Sequence, residues 1–192
     1  MSYQNQETVS FESTTLAFWE VRSLIFQALL VTAAVVLPAF AHLAGAPVRI
    51  ILPMHWPVIL AGLVYGWRGG AVAGLLSPTV SYYVSGLPLP GILPAMTAEL
   101  FIYGLVTGLL RERFRFNPFV SVTLALIIGR IAFVLTVLSS LGISVGSWRS
   151  GNYMQYFSAA LLPGLAAAAG QIILLPLVAN WWMKREQGIS KH

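Results

Sequence analysis

The chain of 192 residues contains no cysteine and no aspartate. Without cysteine there is no disulfide framework, no thiolate nucleophile and no cysteine metal site. Without aspartate, six glutamates are the only side-chain carboxylates. Charge of either sign is scarce, at 9% of residues, against the roughly 25% of a soluble domain. So few charges cannot cover a water-facing surface. That excludes an ordinary soluble enzyme, a disordered regulator and a nucleic-acid binder. Apolar residues are abundant instead, at 57%, the composition of a small integral membrane protein in contact with the lipid bilayer. The net charge of +5 reads as a topology signal once its positions are followed along the chain.

No charged residue falls in 23–48, 50–67, 69–98, 116–129, 131–148 or 150–183. A helix rises about 1.5 Å per residue, so crossing ~30 Å of hydrocarbon takes about 20 residues. Dividing the runs at their glycine and proline breaks predicts an all-α integral membrane fold. It is a six-transmembrane-helix bundle with spans at about 20–44, 50–66, 69–86, 91–111, 117–142 and 153–184. The second and third spans are short and contain Pro53, Pro57 and Pro78. They are expected to be bent or interrupted, with the freed backbone groups covered by protein or facing a wet cavity. The expected division of the chain is a polar N-terminal segment over 1–19, a six-helix membrane domain over 20–184 and a cytoplasmic tail over 185–192.

Lysine and arginine set the orientation. With the N-terminus inside, Arg22, Arg68, Arg111, Arg113, Arg115, Lys184, Arg185 and Lys191 fall on the cytoplasmic side, while Arg49 and Arg149 fall outside. The expectation is therefore N-in and C-in. Ala39-Phe40-Ala41 resembles a signal-peptidase site, but Glu7, Glu12 and Glu20 against a lone Arg22 give the wrong sign for a signal n-region. The first span is expected to be retained.

Two charges cannot be loop residues. Glu99 lies roughly 12 Å into the fourth span from outside, and Arg130 about 10 Å below the outer surface in the fifth. An isolated charge at such depth costs at least ~2.5–3.5 kcal/mol, so intramembrane charges pair or face a cavity. The two residues either form an ion pair that locks two helices or line an outward-facing pocket for a polar ligand, and a pair shared with a ligand would do both. Met96 and Tyr103 stand one turn either side of Glu99 on the same helix face. A carboxylate between an aromatic ring and a thioether suits a flat heterocycle with donor groups, and suits an ordinary helix interface as well.

Other unusual residues gather at the outer ends of spans: His55 and Trp56 at the start of the second, Tyr82 at the end of the third, Trp148 and Asn152 before the sixth. Tyrosine and tryptophan at an interface ordinarily form an aromatic belt. Here they interleave with His55, Arg149 and Asn152 in proline- and glycine-shaped loops, where binding residues concentrate. His42 reads as an interfacial residue. Catalysis has little support. The histidines at 42, 55 and 192 supply no metal-ligand spacing. No phosphate-cradling loop is present, Gly66-Trp67-Arg68-Gly69-Gly70 being a tight cytoplasmic turn. No cofactor is implied.

Three stretches carry a resemblance: 53–62 (PMHWPVILAG), 66–78 (GWRGGAVAGLLSP) and 99–110 (ELFIYGLVTGLL), together with Ile128-Gly129-Arg130. The chain over about 22–184 resembles the substrate-binding S components of energy-coupling factor (ECF) transporters, with some likeness to queuosine-precursor carriers. The resemblance implies a bundle in the bacterial or archaeal cytoplasmic membrane that captures a vitamin-like micronutrient from outside. It also implies delivery by toppling while docked on a transmembrane coupling protein driven by two cytoplasmic ATPases. His55, Trp56, Tyr82, Glu99, Tyr103, Arg130, Trp148 and Asn152 fall in or near the regions that build the pocket of such proteins. The docking motif Ala-x-x-x-Ala of many members has only Ala28 and Thr32 as its nearest match here, small-xxx-small.

The leading expectation is a high-affinity binding subunit for ATP-driven uptake, and not an enzyme. One alternative is a structural membrane scaffold of rod-shape type, with Glu99–Arg130 as a closed pair and no pocket. The other is an intramembrane hydrolase or transferase using Glu99 and His55.

Overall fold

A backbone within hydrocarbon must satisfy its polar groups inside its own segment, which leaves the helix as the solution for an apolar chain of this kind. The structure, a computed structural model, describes residues 15–143 and 164–189. Among these it contains six helices and no strand: α1 (Val21–Leu43), α2 (Val48–Ile51), α3 (His55–Ser85), α4 (Leu93–Glu112), α5 (Pro118–Ile143) and α6 (Gly164–Ile189). Five of them, all but the four-residue α2, are long and apolar enough to cross a membrane. The expected spans at 20–44, 91–111 and 117–142 correspond to α1, α4 and α5. Of the span expected at 153–184, the part from 164 onward is α6, and 153–163 lie outside the described residues.

The second and third expected spans meet in α3, and the helix is not interrupted where the prolines predict. Pro53 precedes α3. Pro57 is its third residue, where the missing N–H would have had no partner in any case. Pro78 sits inside the helix, fully buried. The helical stretch also starts at His55 rather than 50, because Leu52 takes a left-handed conformation (φ 49°) that separates it from α2. The break is at Gly66, whose φ of 72° and ψ of −168° are not helical and belong to a region that is essentially glycine's alone.

At Gly66 the chain doubles back. Cβ atoms built at Gly62 and at Gly70 would both collide with the carbonyl oxygen of the same residue, Gly104. In an unbroken helix those two positions would stand about 12 Å apart. Gly69 correspondingly lies beside Tyr65 and Ala61. One arm of α3 thus runs from His55 to the vertex and the other runs back from Trp67 to Ser85, both packed on α4. Gly74 rests on Leu100, and Gly108 rests on Gly66 and Trp67. Close backbone approach between small residues is how helices associate where lipid removes the hydrophobic incentive. The vertex is fastened by Glu112 at the end of α4, which accepts a hydrogen bond from the Trp67 N–H (3.2 Å) and lies 3.6 Å from Arg68 Nη1.

The core is built on the first arm: Val58, Ile59, Ala61, Leu63 and Val64 are fully buried, together with Leu100 of α4, Val122 of α5 and Ala179 of α6. Helix α1 contributes a narrow buried stripe of Ser23, Gln27, Leu30 and Ala34. Its other face presents Ile25, Leu29, Val36 and Phe40 outward. At one end of the bundle, Arg22 of α1 pairs with Glu186 of α6 at 3.0 Å.

Candidate functional site

The start of the first α3 arm, the middle of α4 and the middle of α5 meet at one level, and four of the residues singled out in the sequence meet there. Glu99 and Tyr103 are one turn apart on α4, so their side chains lie one above the other. The Tyr103 hydroxyl donates to Glu99 Oε1 at 2.6 Å. Arg130 of α5 places Nη1 3.2 Å from the same oxygen. His55 brings Nε2 to 3.7 Å from Glu99 Oε2, and its ring lies 5.5 Å from that of Tyr103. The cluster can form because Gly129, beside Arg130, has no Cβ. An added one would collide with the Tyr103 ring.

The electrostatics follow from burial. The Glu99 and His55 side chains are 3% exposed, whereas Arg130 is 25% exposed. A carboxylate so deep needs a counter-charge and donors, and Arg130 and Tyr103 supply both. Two donors on one oxygen also make Glu99 a poor general base, which weighs against the hydrolase reading. Both His55 ring nitrogens are buried without a hydrogen-bond partner. Among the described residues no three His, Asp or Glu side chains come together to hold a metal ion.

Arg130 and Tyr103 reach a cavity of about 490 Å³ between α4, α5 and α6. Its walls are mostly apolar, with Leu52, Leu126, Ile131 and Ala168 among them. This volume lies within the ~300–1,000 Å³ of small-molecule sites, which combine apolar walls with a few placed polar groups.

The cavity wall also contains Gln171 of α6, a residue that the search for charge missed. It is fully buried, and neither its Nε2 nor its Oε1 has a hydrogen-bond partner. A buried amide left so costs about 1–3 kcal/mol. The available signal was its isolation within an apolar helix, at the centre of the buried stripe Gly164, Ala167, Gln171, Leu175 and Ala179.

The other predicted residues lie apart from the cluster. Trp56 donates its indole N–H to the Ile51 carbonyl at 2.8 Å and packs on Gly170, so it ties α3 to α2 and α6 and does not line the cavity. Tyr82 stacks edge-on with Tyr83 at the end of α3, with ring centroids 5.6 Å apart, also away from the cavity. Trp148 and Asn152 lie outside the described residues. Ala28 and Thr32 are on the outward face of α1, where the Thr32 hydroxyl donates back to the Ala28 carbonyl at 2.9 Å.

No curated protein and no solved structure matches the chain. A family does: residues 22–183 match the substrate-specific component of ECF transporters, over a range that includes every residue of the cluster and the cavity wall. A multi-pass helical membrane protein with that match, and with a polar cluster beside a walled cavity, belongs to the family of ECF transporter substrate-specific components.

Proposed function

We propose that the protein captures a vitamin or vitamin-like heterocyclic micronutrient from outside the cell and holds it in the cavity between α4, α5 and α6. The observation that carries this reading is the buried Glu99–Tyr103–Arg130 cluster at the edge of a mostly apolar space of about 490 Å³. A scaffold protein has no need of a cavity with a charged lip, since a closed ion pair would serve.

In this reading the two arms of α3 count as separate passes, both termini are cytoplasmic, and the cluster lies toward the outer face. A transmembrane coupling protein and two ATPases supply the energy, and the outward face of α1 around Ala28 and Thr32 is the docking surface.

The test is native mass spectrometry of the gently purified protein, followed by chemical identification of any small molecule released. A heterocyclic compound at one per chain is the expected result. An empty protein that shows no thermal shift with a panel of vitamins and nucleobase precursors overturns the proposal.

A further inference from the structure

The loop between α4 and α5 is no part of the cavity wall, yet it combines charge and aromatic surface. Residues 113–116 alternate arginine and phenylalanine, and residues 111–116 hold three arginines against one glutamate. That glutamate is engaged elsewhere: Glu112 accepts from the Trp67 N–H and lies 3.6 Å from Arg68 at the vertex of α3. Arg113, Phe114, Arg115 and Phe116 are all exposed. The loop is fastened in this form. The Phe116 N–H donates to the Leu110 carbonyl at 2.9 Å, and Arg111 Nη1 donates to the Phe116 carbonyl at 3.0 Å. Between them Arg115 takes a left-handed conformation (φ 53°), and the Phe114 and Phe116 rings lie 6.1 Å apart. Asn117 then caps α5 by accepting from the Phe119 N–H at 2.9 Å.

Only residues 113–117 separate two helices of membrane length, so the loop stands where hydrocarbon gives way to headgroups. From this placement we infer that the α4–α5 loop is a binding site for the headgroup of an anionic phospholipid. Arg113 and Arg115 receive the phosphate, which guanidinium groups match in geometry as well as in charge. Phe114 and Phe116 enter the boundary between headgroup and acyl chain, where an exposed ring leaves water. A protein partner would have to bring carboxylates and an apolar patch to the same short loop, whereas the bilayer already presents phosphate and hydrocarbon at that level. In the orientation proposed above, the loop faces the cytoplasmic leaflet, whose surface potential is negative. The inference is independent of what the cavity holds.

The experiment uses the full-length protein in mild detergent, titrated with dioleoylphosphatidylglycerol or dioleoylphosphatidylcholine in mixed micelles and followed by thermal shift. Phosphatidylglycerol should stabilise the wild type, by an amount that added salt reduces, and phosphatidylcholine should not. An arginine close to an anionic surface adds about fivefold in affinity. Arg113→Gln combined with Arg115→Gln should therefore need at least about tenfold more phosphatidylglycerol for the same shift. Lys184→Gln combined with Arg185→Gln, two exposed charges at the end of α6, should respond as the wild type does. If the double arginine variant does not fold, Arg113→Gln alone serves, with an expected loss of about fivefold. Equal responses to the two lipids, or an undiminished response in the arginine variants, overturn the inference. An equal loss in the Lys184/Arg185 variant also overturns it, since the attraction would then be to total charge. A matching shift from inorganic phosphate does the same, because the site would then take a free anion.

Discussion

Glu99 has two donors on a single carboxylate oxygen, and one of them is a charge. Removing the carboxylate leaves Arg130 without its counter-ion while a quarter of its side chain is still exposed to share the burden. The expected cost of Glu99→Gln is about 3 kcal/mol, the lower end of the range for breaking a buried pair. For a chain of this size that lowers the detergent melting temperature by roughly 6–12 °C. Arg130→Gln combined with it should restore part of the loss, with a coupling energy of at least ~1 kcal/mol in the double-mutant cycle. Additive effects would mean that the two side chains do not act as a pair. Charge inside an apolar run is conspicuous because it is expensive there, so Glu99 and Arg130 were legible before any coordinates, and Tyr103 followed from helical spacing. Gln171 was not legible that way. An amide carries no charge, and its lack of partners is a property of what packs around it.

At the scale of elements, the close contact between α3 and α4 depends on pairs of glycines facing each other's backbone. The Gly70 and Gly104 backbones leave no room for a methyl group on either side. A flexible side chain could step aside, but a backbone cannot. Gly104→Ala should therefore force the helices apart at a cost of about 1–3 kcal/mol, read as a melting temperature several degrees below wild type. Gly91→Ala is the control, since a Cβ there meets nothing within 4 Å. If the two variants melt alike, close backbone packing does not hold the pair together. The sequence pointed to a turn in this region through Gly66-Trp67-Arg68-Gly69-Gly70, and helix resumes one residue after Gly66. The prolines misled because their effect depends on position. Pro57 lies in a first turn and disrupts nothing, whereas Gly66 breaks the helix by adopting a conformation that other residues avoid.

The molecule combines five membrane-length helices among its described residues with an uneven distribution of positive charge along the sequence. Which end of the bundle faces the cytoplasm is open to direct test, and the absence of cysteine makes the test simple. A single cysteine replacing Leu89, exposed between α3 and α4, should react with a membrane-impermeant maleimide in intact cells. One replacing Lys191 should react only after permeabilisation, and the reverse pattern would invert the topology. Helix type was readable from hydropathy because the bilayer fixes length and forces backbone satisfaction, whereas against six expected spans the described residues contain five helices of membrane length. The doubling of α3 and the cavity beside α6 were not, since both depend on which helix packs on which.

The closed pair of Glu99 and Arg130 bears on the energetics of moving a bound solute across the bilayer. Each elementary charge carried through the membrane potential exchanges about 2.3 kcal/mol per 100 mV with the field. A carboxylate and a guanidinium held 3.2 Å apart carry none between them, and an uncharged passenger adds none. The voltage across the membrane therefore neither drives nor opposes the displacement of this part of the protein.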